Sequence, residues 1–222
     1  MSIAIAIDGP AGAGKSSLSK EVAKELSFIY VDTGALYRTI GLAASRKGLK
    51  KEDKAEIISM LNDIDVKLSF NDEGTQIVLL NGEDVSSFIR TPEASMVASA
   101  VSAIPEVRAY LLDLQRNMAK SDNVIMDGRD IGTVVLPDAK IKIFLTASPE
   151  KRAMRRHKEN IEKGIDSTYE EVLKDVNQRD YQDSHREIAP LKPAENSVLV
   201  DTSDYDFDGS KELLLKVIKE RM

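Results

Sequence analysis

Apolar positions fall along this chain in two rhythms. Ile3 to Ile7 is a short β-branched run that reads as a buried strand, and helical spacing follows from Lys15 to about Leu26. Phe28 to Val31 reads as a second strand, Leu36 to Arg46 as a helix ended by Gly48, and Lys51 to Asn62 as a further helix. The texture then changes. Val66 to Phe70 and Gln76 to Leu80 alternate in polarity on either side of Asn71-Asp72-Glu73-Gly74-Thr75, the pattern of an antiparallel hairpin. Asn81-Gly82-Glu83-Asp84 reads as another turn. Helical spacing returns from Thr91 to Ala119, broken near Pro105. Val124-Ile125-Met126, ending at Asp127, is the next predicted strand, and Ile141 to Leu145 another. A basic helix is predicted over 150–163, a second helix from Tyr169 to Asp183, and a last strand at Val198-Leu199-Val200. Lys211 to Arg221 closes the chain as an amphipathic helix. Strands alternating with helices predict βαβ units, hence an α/β fold with a parallel sheet. On this reading the core spans 1–62 and 91–222, and 63–90 is a small β-containing insert.

The 222 residues, 42% of them hydrophobic, suit one sizeable domain carrying such an insert. Cysteine is absent, which excludes disulfides and thiolate metal sites and fits a reducing compartment. Met1 to Asp8 lacks a basic start and its apolar run stops at an aspartate, so a strand is expected there rather than a signal peptide. No apolar run reaches the roughly 18 residues a membrane span needs, so no membrane partner is expected and the cytoplasm is the expected location. Lys and Arg total 31 against 37 Asp and Glu, a net charge of −6. Nucleic-acid binders usually carry a basic excess, so no nucleic-acid partner is expected. No segment suggests a self-complementary face, and a monomer is the default.

The picture sharpens at Gly9-Pro10-Ala11-Gly12-Ala13-Gly14-Lys15-Ser16, which fits G-x-x-x-x-G-K-[ST] at every fixed position between a predicted strand and a predicted helix. Glycines let successive backbone N–H groups converge on phosphate oxygens, and the helix N-terminus adds partial positive charge. Lys15 would reach the β- and γ-phosphates and the Ser16 hydroxyl would ligate Mg2+, with Ser17 following in the same ATP-binding stretch. The motif points to a bound nucleoside triphosphate without naming the acceptor. Asp127 ends a strand, where an α/β sheet puts its ligand, and is a candidate for holding Mg2+ directly or through water. A solvated strand-end aspartate carries the same signature.

Arginines cluster outside the loop. Arg38 follows the second strand, Arg129 follows the strand ending at Asp127, Arg179 and Arg186 flank Asp183, and Arg152, Arg155 and Arg156 share the basic helix. If the strands are parallel, Arg38 and Arg129 start from the same sheet edge as the phosphate loop. Arginine forks match phosphate oxygens in pairs, so several at one edge suggest a second phosphate-bearing ligand. For any one arginine a surface ion pair is the plainer alternative.

Several stretches together resemble the bacterial cytidylate kinases, nearly end to end and including the insert. They are Asp8-Gly9-Pro10 entering the loop, Asp32-Thr33-Gly34-Ala35-Leu36-Tyr37-Arg38, Asp127 through Val135, and Ile188-Ala189-Pro190-Leu191. The resemblance implies a P-loop NTPase-type fold: a five-stranded parallel sheet flanked by helices, an acceptor-binding insert and a short mobile lid at about 150–168. It implies phosphorylation of CMP and dCMP with ATP and Mg2+. By the same resemblance Ser99, Arg108 and Asp130 would read cytosine. Arg38, Arg129 and Arg186 would hold the acceptor phosphate, Arg179 and Asp183 would meet the ribose, and Thr33 would lie beside the acceptor. Arg155 and Arg156 would be lid arginines. Thr33 and Ser17 depart from the family pattern only by Ser/Thr exchanges that keep the hydroxyl.

The base chemistry agrees. Cytosine offers an amino donor beside two acceptors, which suits a carboxylate such as Asp130 with arginine and serine nearby. Uracil puts an acceptor where Asp130 expects a donor. An acceptor phosphate is already a nucleophile, so catalysis reduces to alignment and charge stabilisation by Lys15, Arg129, Mg2+ and the lid. Two rivals remain: a kinase of a hydroxyl acceptor, with Asp32 or Asp127 as base, and a nucleotide-dependent switch with slow hydrolysis.

Overall fold

The computed structural model describes residues 2–50, 52–71 and 75–222. In chain order come β1 (Ala4–Asp8), α1 (Lys15–Leu26), β2 (Ile29–Asp32), α2 (Thr33–Arg46), α3 (Lys54–Met60), β3 (Val66–Phe70), β4 (Gln76–Leu80) and β5 (Glu83–Asp84). Next are α4 (Pro92–Val101), α5 (Pro105–Ser121), β6 (Val124–Gly128), β7 (Ile141–Thr146), α6 (Pro149–Glu162), α7 (Tyr169–His185), β8 (Val198–Asp201) and α8 (Phe207–Lys219). A 3-10 turn covers Leu61–Asp63 and a π-helical turn covers Ile131–Val135.

β1 sets the layout. It is buried at every position after Ala4, as befits a strand covered on both faces. It pairs in parallel with β6 on one side and β7 on the other, and β8 pairs in parallel with β7. The principal sheet is five-stranded and parallel, in the order β2-β6-β1-β7-β8. Ile5, Ile7, Ile125, Ile143 and Val200 from this sheet bury against Leu18 and Val22 of α1 and Leu214 and Ile218 of α8. Each such side chain contributes about 1.5–3 kcal/mol on burial. The β1–β6 register sets Asp8 beside Gly128, so the loops after these two strands leave from one edge.

The described chain divides into two compact units, one ending at Tyr30 and resuming over Asn123–Met222, the other Val31–Asp122. The second unit has its own core. Leu36 and Ile40 of α2, Ile57 and Met60 of α3, Val78 and Leu80 of β4, and Val107 and Leu111 of α5 meet in it. Its small sheet runs β3-β4-β5, with Val66 opposite Leu80 and Phe70 opposite Gln76, the hairpin that the alternation predicts. The tip of that hairpin, 72–74, lies outside the described residues, as does Lys51 at the start of the helix expected over 51–62. This unit is wider than the 63–90 stretch whose texture stands out in the sequence, because α2, α4 and α5 pack into the same core.

Helix starts are where the structure departs from the apolar pattern. α2 begins at Thr33 rather than Leu36, because the Asp32 carboxylate accepts from Ala35 N at 3.1 Å and caps it. α8 begins at Phe207 rather than Lys211, capped by Asp206 accepting from Gly209 N. α7 runs two residues beyond Asp183, and the π-helical turn has no counterpart in the sequence reading.

Candidate active site

β1 ends at Asp8 and the chain turns at once. Gly9 lies so close to β7 that a Cβ would sit 1.9 Å from the Leu145 carbonyl oxygen, so no side chain fits. Gly14, at φ 85°, opens α1 from the left-handed region and offers no side-chain oxygen to the first-turn N–H groups, which stay open to phosphate. Lys15 is buried, and its Nζ donates to the Pro10 carbonyl at 2.7 Å. Burial, with Arg129 adding, pushes its ammonium well below the usual lysine range, while Asp127, Asp183 and Asp8 pull the other way. A phosphate arriving here supplies the counter-charge that favours the ammonium.

Ser16 Oγ donates to Asp127 Oδ2 at 2.8 Å, and the Tyr30 hydroxyl donates to Oδ1 at 2.9 Å. A hydroxyl and a buried carboxylate thus meet beside the phosphate loop. That donor set fits Mg2+, which keeps several waters and takes one or two carboxylates together with substrate phosphates.

Past β6, Arg129 Nε donates to Asp183 Oδ2 at 2.8 Å. Arg179 is largely buried. Burial and then Arg129 lower its pKa, Asp183 opposes them, and Arg156 adds to the lowering. Lys15, Asp127, Arg129, Arg179 and Asp183 therefore form one electrostatic cluster. Asp130 is buried, with Arg186 Nη2 at 3.8 Å from its Oδ1, and Arg186 Nε donates to the Ala189 carbonyl at 2.6 Å.

The basic helix α6 meets the loop through Arg152, where the sequence singles out Arg155 and Arg156. Arg152 Nη1 donates to the Ala11 carbonyl at 2.9 Å, its Nε to the Ala147 carbonyl at 2.8 Å, and both Nη atoms engage the Asp180 carboxylate. Arg155 turns instead to the β8–α8 connection, donating to the carbonyl of Thr202 at 2.6 Å and that of Tyr205 at 3.2 Å. Burial lowers its pKa, opposed by Asp201. Arg156 lies 3.6 Å from Glu159.

In the second unit, Arg38 Nη2 pairs with Asp32 Oδ2 at 2.6 Å, and Thr33 is buried beside that cap. Gln76 of β4 brackets the same strand end, accepting from Asp32 N at 2.8 Å and donating to its carbonyl at 3.3 Å. Arg108 lies over the Tyr37 ring, 5.7 Å from its centroid, and donates to the Ser102 carbonyl. The Ser99 carbonyl accepts from Ser102 Oγ, which joins Ser99 to the same α4–α5 junction. Sequence reasoning missed Asp8, Tyr30, Gln76 and Asp180. Asp8 carried one signal, a lone acid closing an apolar strand.

A parallel α/β sheet, a phosphate loop with its lysine and serine, and a strand-end aspartate bonded to that serine define a P-loop kinase. The profile of the cytidylate kinase family matches residues 5–220, and the chain belongs to the cytidylate kinase family. It is 50% identical over 214 residues to a protein named cytidylate kinase from Carboxydothermus hydrogenoformans, covering 96% of each chain. It is 49% identical to another of that name from Caldicellulosiruptor saccharolyticus, covering 98% of this chain and 94% of that one. A solved structure of an uncharacterized protein from Eubacterium ventriosum shares the fold, with a TM-score of 0.53 and 13% identity over 99% of both chains.

Proposed function

We propose that this protein phosphorylates CMP and dCMP with ATP and Mg2+, yielding CDP or dCDP and ADP. Family membership across nearly the whole chain is the observation that carries the reading. The supply of arginines weighs against the hydroxyl-acceptor alternative, since a neutral acceptor does not call for it. Asp32 is engaged by Arg38 and by the cap of α2, and Asp127 accepts from two hydroxyls. An acceptor phosphate needs no base.

Lys15 neutralises charge that develops on the transferred group, in a buried site where such an interaction is strong. Ser16 and Asp127 would hold the Mg2+, which when bound supplies further neutralisation across the phosphates. Arg129, Arg38 and Arg186 orient the acceptor phosphate, and Arg179 and Asp183 the ribose. Ser99, Arg108 and Asp130 read the base, and Thr33 lies beside the acceptor. The lid, 150–168, carries Arg155 and Arg156. Arg155 must leave Thr202 to reach a phosphate, so lid movement and phosphoryl transfer are coupled through that contact. The 63–90 stretch serves acceptor binding. The protein works as a monomer in the cytoplasm, without nucleic-acid or membrane partners. No helix among the described residues is long and apolar enough to cross a membrane.

The test is coupled ADP release with ATP and Mg2+, adding CMP, dCMP, UMP, AMP and dTMP in turn. Fast release with CMP and dCMP alone is expected. Slow release indifferent to every monophosphate would overturn the acceptor.

A further inference from the structure

Asp8 takes no step in the reaction above, yet it is 2% exposed and both of its oxygens are used. Oδ1 accepts from Ile131 N at 2.7 Å and Oδ2 from Gly132 N at 2.8 Å, across more than 120 residues of chain. These two N–H groups open the π-helical turn, and Asp130 is its N-cap, at φ −149° and ψ 26°. Turns of this kind recur at functional sites. Asp8 is also the residue that precedes Gly9. One carboxylate therefore pins the root of the phosphate loop to the segment that carries Arg129 and Asp130. The arrangement is costly. Burial raises the carboxyl pKa to about 6; the bonds from Gly132 and Ile131 lower it, Asp130 raises it and Lys15 lowers it. A group that costs stability and is fully committed to two amides is explained by what those amides hold in line.

We propose that Asp8 is a positioning residue for acceptor recognition: by fixing the Ile131 and Gly132 N–H groups it sets the direction of the Asp130 carboxylate toward the nucleobase. This rests on Asp130 reading cytosine. Asparagine at position 8 keeps the volume and one acceptor oxygen, but its amide nitrogen faces an N–H donor, so one of the two amides loses its partner.

The experiment measures kcat and KM for CMP, UMP and ATP, and the melting temperature at pH 7, in wild type, Asp8→Asn and Asp130→Ala. In Asp8→Asn the CMP-to-UMP ratio of kcat/KM is expected to fall about tenfold, mostly through KM for CMP. KM for ATP should change by less than about twofold, and the melting temperature should not fall. Amide exchange at Gly132 should quicken, while that of the phosphate loop stays as in wild type. A ratio lost in Asp130→Ala but kept in Asp8→Asn overturns the proposal and leaves base reading intact. A ratio kept in both variants overturns base reading and the proposal with it. Loss of the fold, or KM values for ATP and CMP that rise together with a lower melting temperature, would make Asp8 a structural residue and also overturn it.

Discussion

Lys15 and Asp8 are two buried charges at the two ends of one loop, and burial disfavours the ionised form of each. For Lys15 the cost is recovered when phosphate arrives. Lys15→Met should lower kcat by at least about a hundredfold while circular dichroism stays unchanged. Near-normal turnover would remove the loop from the chemistry. For Asp8 no ligand offsets the cost, so it reads out in stability. Its folded pKa, about 6, lies above the unfolded value of 3.8. The folded state therefore holds the proton longer. Asp8's contribution is fully present below the unfolded value and is lost as pH rises through about 6. A shift of about two units corresponds to about 3 kcal/mol. The stability of Asp8→Asn relative to wild type should accordingly rise by up to about 3 kcal/mol between about pH 4 and pH 7, measured by urea unfolding at each pH. A flat difference would mean the carboxyl titrates alike in both states.

At the scale of elements, Arg152 joins three pieces: α6, which carries it, the phosphate loop at Ala11, and α7 at Asp180. Its side chain is 3% exposed and that of Asp180 27%. Asp180→Asn keeps the shape but removes the charge, and should cost about 2 kcal/mol and raise KM for ATP. An unchanged unfolding midpoint would show that the pair is idle. This contact also marks the limit of the sequence. The strands were legible because β1 and β6 are apolar runs buried on both faces and β7 buries Ile141, Ile143 and Leu145 at every second position, and the β3–β4 hairpin because its register buries Val66, Val78 and Leu80. Helix starts were less legible, since Asp32 and Asp206 act as caps outside the apolar pattern. The phosphate loop was readable to the residue, because its spacing is its mechanism. The basic helix was readable only as charge. Spacing along α6 does not say that Arg152 faces the loop while Arg155 faces Thr202, because that depends on how the helix rolls against α7. Asp8 stayed hidden because its partners are backbone N–H groups, which leave no mark in a side-chain pattern.

Across the whole molecule, a net charge of −6 coexists with a cluster of arginines and Lys15 around one loop, so attraction for anions is local and not global. Binding and stability are then linked through the first unit, which contains the loop and the β1–β6–β7 core. ATP at about a hundredfold its Kd should stabilise the folded state by about 2.7 kcal/mol. For a chain of this length that is a rise in melting temperature of about 5–10 °C. In Lys15→Met the rise should shrink to a small fraction, because the buried ammonium is then missing while the backbone N–H groups of the loop remain. Asp130→Ala should keep the ATP shift in full and lose activity more with CMP than with UMP, if Asp130 meets the acceptor base and not the donor, as the proposed function has it. A single series of melting curves with ATP, read beside turnover with CMP and UMP, thus separates the two roles. An ATP shift lost in Asp130→Ala, or activity losses equal with both pyrimidines, would sink the division of labour between the phosphate loop and the segment after β6.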